Sequence, residues 1–134
     1  MTTEDRSEQG VYLERVYFDF DSYQLTPAAR ETLRKQADIL LKNQAITVVI
    51  KGHTDENGSE EFCLALGEKL TKAVFNYLVS QGLSPTRLSV ISRGKDRPLD
   101  PGHNEAAWAR NRRVEFDMKN GSISDGPLRK LQAL

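Results

Sequence analysis

The chain has 134 residues, enough for one compact domain with a hydrophobic core and too few for two. Apolar residues make up 38% and charged residues 28%, a globular balance that excludes a chain too polar to fold. Nineteen basic and nineteen acidic side chains cancel, so no long-range positive field collects phosphates; nucleic acid is disfavoured as a general partner and only a local basic patch stays open.

Residues 1 to 10, MTTEDRSEQG, are polar and acidic and read as a flexible lead. They contain no charged-then-apolar export segment and no lipid-acceptor cysteine, so the expectation is a cytosolic protein or a mature fragment stripped of its signal. The single cysteine, Cys63, excludes an intrachain disulfide.

In VYFDFD, Val16, Phe18 and Phe20 alternate with Tyr17, Asp19 and Asp21, which predicts a half-buried strand with the first set inward. Thr26 followed by Pro27 supplies an N-cap and a proline at the first helical position, and Leu33, Ala37, Leu40 and Leu41 form the apolar stripe of a helix ending near Asn43. The run ITVVIKGH is β-branched and nearly continuous in apolarity, as in a central strand. Asn57-Gly58 then makes a turn, and a long amphipathic helix starts at Ser59 or Glu60 with Phe62, Leu66, Leu70, Ala73, Val74 and Tyr77 as its stripe, stopping at Gly82.

RLSVIS predicts a third strand, followed by a loop with two prolines and two glycines that holds one short helical turn. In RRVEFDM, Val114, Phe116 and Met118 face one way and Arg113, Glu115 and Asp117 the other, a fourth strand with one wet face. Past Asn120 the chain is polar, with Leu128, Leu131 and Leu134 at helical spacing. The domain is therefore bounded at 11–119, with 120–134 as a C-terminal tail.

Three chemistries have candidate residues. Cys63 with His53 or His103 could form a thiol–imidazole pair, but a cysteine beside an apolar stripe usually acts as a small hydrophobe. His53, Asp55 and His103 could ligate a metal, although the histidines are fifty residues apart with no recognised ligand spacing. Asp19, Asp21 and Asp55 could supply two carboxylates for glycoside hydrolysis, which requires a fixed separation. Asp55 stands out because it ends a buried strand just before a turn and a helix, where ligand sites of α/β sheets form; the same place also suits an Asx-turn aspartate.

The ordered motifs VYFDFDSYQLTPAA, IKGHTDENGSEEF, LSVISRGKDRP and PGHNEAAWARNRRVEF, spread over residues 11 to 118, resemble the OmpA-like domain family. Gly102-His103-Asn104-Glu105-Ala106-Ala107-Trp108 with Asn111-Arg112-Arg113 is similar to the signature of its Pal-type branch. The resemblance implies an α/β (α+β) sandwich of order βαβαβ(α)β, with a four-stranded mixed sheet packed against two main helices. It also implies a non-catalytic domain without cofactor or metal that binds the peptidoglycan stem peptide through meso-diaminopimelate. The implied location is the periplasm, in association with the outer membrane, and a TolB-like protein is an implied partner.

Carried over by position, Asp55 resembles the acid that meets the ligand's ammonium group, and Phe20 and Asp21 the opposite wall. Thr54, Gly58, Leu66, Leu70 and Arg112 complete the expected site. The family usually has an arginine fifteen residues after the aspartate, where this chain has Leu70, and a tyrosine-asparagine pair where it has Phe62-Cys63. Losing a charge-assisted contact costs about 1.5 to 3 kcal/mol. Lys69 and Arg112 are the substitute cations at hand, Lys69 lying about 100° around the helix from Leu70, and Arg112 being equally suited to a structural ion pair. The alternative reading is a divergent OmpA-like domain with weakened peptidoglycan binding that serves as a protein-interaction module.

Overall fold

A computed structural model describes residues 11–120. Four strands form one mixed sheet in the order β1-β4-β2-β3: β1 is Val16–Tyr17, β2 Ile46–His53, β3 Leu88–Gly94 and β4 Arg113–Asn120. β2 and β3 run parallel, and β4 is antiparallel to both β1 and β2. Two long helices, α1 (Pro27–Lys42) and α2 (Glu60–Ser80), contribute to the core on one face of this sheet, and a short helix, α3 (Glu105–Asn111), precedes β4. The expected α/β architecture is the one observed. The flexible lead and the leucines at 128, 131 and 134 lie outside the described residues.

Local chemistry sets the helix ends. Thr26 Oγ1 accepts the Ala29 N–H and Pro27 opens α1; Ser59 Oγ accepts the Phe62 N–H, with Glu60 and Glu61 in the first turn of α2, where the helix dipole favours negative charge. Gly82 ends α2 at φ +107°, a conformation open to glycine at little cost. Leu33, Ala37 and Leu40 are buried as expected, but Leu41 is exposed; Ala29 and Gln36 complete the buried face of α1.

Four further expectations are corrected. Regular pairing of β1 ends at Tyr17, and a turn at Phe20 and Asp21, where Asp21 adopts φ +51°, breaks the alternation, so Phe18 is buried while Phe20 is 63% exposed. The stripe of α2 is rotated by one residue: Cys63, Gly67, Leu70, Thr71, Val74 and Leu78 face inward, and Phe62 is half exposed. The outer face of β4 is not wet at its start, because Arg113 and Glu115 are buried beneath the loop that follows β3. That loop holds α3, seven residues long, where a single turn was expected.

Gly52 on β2 and Gly67 on α2 bring the helix close to the sheet. A Cβ built on either would overlap the other element: Gly67 O for Gly52, and Ser92 Oγ on β3 for Gly67. This close approach sets where the first turns of α2 stand relative to the C-terminal end of β2.

Candidate functional site

β2 ends at His53, and the next six residues turn the chain into α2. Thr54 N–H donates to Gly94 O (2.9 Å), holding the turn to the end of β3, while Thr54 Oγ1 donates to Asp55 O (2.9 Å). Asp55 Oδ1 accepts the Asn57 N–H (2.9 Å) and the Asn57 side-chain amide (3.1 Å), the Asx-turn arrangement. Gly58 completes the turn at φ +112°.

The other Asp55 oxygen, Oδ2, accepts from Arg112 Nη1 at 3.2 Å, and both side chains are buried. Arg112 also donates through Nε to Phe18 O (3.1 Å) and through Nη2 to Glu105 Oε2 (2.8 Å), with its guanidinium 5.9 Å from the centre of the Phe20 ring. Three of its five N–H groups are thereby used and two remain. Burial opposes the charge on Arg112, but the hydrogen bonds and charges of Glu105 and Asp55 outweigh it and hold its pKa above the ordinary value. The same contact holds Glu105 below the usual carboxylate range.

Beside this pair lies a cavity of about 290 Å³. All eight residues expected at a site line it: Phe20 and Asp21 from the turn after β1, Thr54, Asp55 and Gly58 from the β2–α2 turn, Leu66 and Leu70 from α2, and Arg112 from the entry to β4. Phe18, Asp19, Ser22, Asn57 and Phe62 also line it. Of these, Phe62 stands where the resemblance implies a tyrosine; the alternation of β1 assigns Phe18 to the core alone, and the turn by itself accounts for Asn57.

Lys69 does not line this cavity. Its ammonium sits 5.3 Å from the centre of the Tyr23 ring, so it does not supply a cation beside Leu70, whose own side chain is almost fully buried in the core. Arg112 is the guanidinium on the cavity wall.

A second contact set locks the turn in place. Glu56 accepts from Trp108 Nε1 (2.7 Å) and pairs with His103 Nδ1 (2.8 Å), and these bonds, Trp108 first, hold its carboxyl below the usual range. Glu56 and Trp108 are separated by 52 residues, so no local pattern announces their contact.

The thiol–imidazole reading fails on geometry. Cys63 is fully buried and its Sγ faces Asp55 O (3.7 Å) and Asn57 O (3.4 Å), while His103 is engaged by Glu56. Among the described residues no group of three His, Cys, Asp or Glu side chains is placed to hold a metal. No helix among them is long and apolar enough to cross a membrane.

The model of the OmpA family matches residues 17–112, which run from the end of β1 through the arginine of the cavity. The chain belongs to the OmpA family. The peptidoglycan-associated lipoprotein of Pseudomonas aeruginosa is 50% identical over 100 residues, 75% of this chain and 59% of that protein. The protein of the same name from Legionella pneumophila is 38% identical over 113 residues, 84% of this chain and 64% of that one. The chain thus spans about three fifths of the length of the curated relatives it matches.

Among solved OmpA-type folds, the crystal structure of the peptidoglycan-associated lipoprotein from Burkholderia pseudomallei aligns with TM-score 0.76 at 38% identity, covering 78% of this chain and 89% of that one. The C-terminal domain of MotB from Helicobacter pylori aligns with TM-score 0.75 at 21% identity over 81% of this chain and 86% of that one, a likeness of fold alone. This branch of the OmpA family is non-enzymatic.

Proposed function

We propose that the domain is a non-catalytic anchor that binds peptidoglycan, taking the meso-diaminopimelate of the stem peptide into the cavity beside Asp55 and Arg112. The observation that carries the reading is the pairing of a carboxylate and a guanidinium on one cavity wall. The free end of diaminopimelate bears an ammonium and a carboxylate on the same carbon. A zwitterion of that kind needs an acceptor and a donor side by side, and the methylene chain behind it needs apolar walls. Arg112 has two N–H groups left for the ligand carboxylate, Asp55 Oδ2 and the rim carboxylate of Asp21 are acceptors for the ammonium, and Leu66, Leu70 and Phe62 supply apolar surface.

In this reading Asp55 does two jobs. It holds Arg112 in place, and it offers the remaining lone pairs of Oδ2 to the ligand. The loss of the family's usual arginine at Leu70 is partly offset by Arg112, and the affinity is accordingly lower than that of a domain carrying both. The proposed location is the periplasm, in association with the outer membrane, and a TolB-like protein is the proposed protein partner.

The apolar lining and the exposed rings of Phe20, Tyr23 and Phe62 favour a second reading, a domain that has kept the scaffold and binds a protein at this rim. Co-sedimentation with purified sacculi separates the two. Retention that falls when Asp55→Ala is introduced supports the anchor, whereas absence of retention by the unaltered chain supports the interaction module.

A further inference from the structure

We propose that the sheet face turned away from α1 and α2 carries a second binding site, for a phosphoryl oxyanion, built from His53, Arg93, Arg97 and Arg113. Strand alternation places it there. Val114 and Phe116 of β4 point into the core beneath the helices, so His53 of β2, paired with Arg113 of β4, points with it to the opposite face. The loop after β3 folds over them and encloses a cavity of about 220 Å³ that shares no residue with the first.

Two observations point to a ligand. His53 is 3% exposed, and among the described residues neither of its ring nitrogens has a hydrogen-bond partner; Glu115 Oε1 stands off at 3.8 Å. Arg93 Nε, lining the same cavity, is also buried without a partner. Buried donors of this kind are nearly always satisfied, and two orphans facing one cavity call for an acceptor between them. The charge agrees with this. Arg93, Arg97 and Arg113 surround a single carboxylate, Glu115, whose Oε2 is already occupied by Arg113 Nε (2.7 Å) and Arg15 Nε (2.9 Å).

Arg113 spends three N–H groups on Glu115, Asn111 O and Arg97 O, and keeps two. The cationic groups come from β3, β4 and the covering loop, so they approach from several directions. A planar carboxylate answers one such fork; a tetrahedral phosphoryl group presents oxygens to several at once. Burial, with help from Arg113, Lys51 and Arg93, pushes the His53 pKa down to about 3 against the pull of Glu115, so the ring is neutral at physiological pH and offers the anion one N–H donor.

The phosphoryl group can belong to free phosphate or to a phosphomonoester headgroup, and the test separates these. The chain, 15N-labelled in phosphate-free buffer at pH 6.5 with ionic strength held by sodium chloride, is titrated with inorganic phosphate while the His53 ring and Arg93 Nε resonances are followed. The expected result is a saturable shift of both that chloride does not reproduce and that is weakened at least tenfold in R93Q/R97Q, a variant of two side chains that are not fully buried. In parallel, retention on phosphatidylcholine vesicles containing phosphatidic acid, absent on phosphatidylcholine alone and lost in R93Q/R97Q, assigns the site to a lipid headgroup; phosphate binding without vesicle retention assigns it to a soluble phosphate. No saturable shift, or the same shift in R93Q/R97Q, overturns the proposal.

Discussion

The guanidinium of Arg112 donates to the carboxylate of Asp55 across 3.2 Å, joining the entry to β4 with the turn after β2 although the two residues are 57 positions apart. Each is also fixed by its own surroundings, Asp55 by Asn57 and Arg112 by Phe18 O and Glu105. The pair is therefore preorganised: a ligand meets charges already in position and is not asked to order them.

Replacing Asp55 removes an acceptor from a buried cation and one anchor of its turn. Asp55→Ala is expected to destabilise the fold by about 2 to 3 kcal/mol, less than for an isolated buried pair because Glu105 and Phe18 O still hold Arg112. Asp55→Asn keeps an oxygen for the Asn57 contacts and is expected to cost about 1 kcal/mol. Urea denaturation of both variants checks the order; equal losses would show that the oxygen kept by asparagine does nothing for the fold and that the charge on Asp55 carries the whole contact.

Leu70 stands where the resemblance to the OmpA-like family implies an arginine. The double substitution Leu70→Arg with Cys63→Asn is expected to strengthen diaminopimelate binding about tenfold, in line with one added charge-assisted contact. Stability should fall, since Leu70 and Cys63 are buried and a new guanidinium must be desolvated. Calorimetric titration with free diaminopimelate decides; an unchanged or weaker affinity means that the position does not face the ligand.

Acid should weaken the fold first through His53. Its folded pKa is lowered to about 3 from an ordinary 6.5, so between those values the unfolded chain takes up a proton that the folded chain refuses. Stability from this group is therefore whole above pH 6.5 and is lost as the pH falls toward 3. Between pH 7 and pH 5 the expected loss is about 2 kcal/mol. Glu56 and Glu105, also held low, add to the slope only below the ordinary glutamate value of 4.5. Guanidinium denaturation in phosphate-free buffer should show this slope in the parent chain and a nearly flat profile from pH 7 to 5 in His53→Gln.

Gly67 should tolerate no side chain. A methyl there overlaps Ser92 Oγ, so Gly67→Ala is expected to cost about 1 to 3 kcal/mol as α2 is pushed off the sheet. Adding Ser92→Ala should recover part of that loss, since it removes the atom most closely approached. Thermal melts of the single and double variants test the contact.

The elements that sequence identified correctly are those with local chemical markers. Thr26-Pro27 and Ser59 cap α1 and α2, Gly82 stops α2, and the β-branched run from Ile46 makes the central strand, all through interactions within a few residues. Errors gathered where distant residues decide. Phe20 left the strand face because of the left-handed turn at Asp21, and Cys63, not Phe62, turned inward because α2 presses on β2 at Gly52 and Gly67. Arg113 and Glu115 looked like a solvated face until the loop at 95–100 closed over them. At the cavity, resemblance supplied eight of the thirteen lining positions, but the contacts that fix the site, Glu105 with Arg112 and Trp108 with Glu56 of the adjoining turn, are visible only in three dimensions.

Two stem tripeptides that differ only at the third residue, one with meso-diaminopimelate and one with L-lysine, differ by the carboxylate assigned to Arg112. Calorimetric titration of both into the chain is predicted to give saturable one-to-one binding of the diaminopimelate peptide and a Kd at least tenfold weaker for the lysine peptide, a gap that closes in Arg112→Gln. Equal binding of the two peptides by the unaltered chain, or binding of neither, would contradict the assignment of this cavity to the peptidoglycan zwitterion.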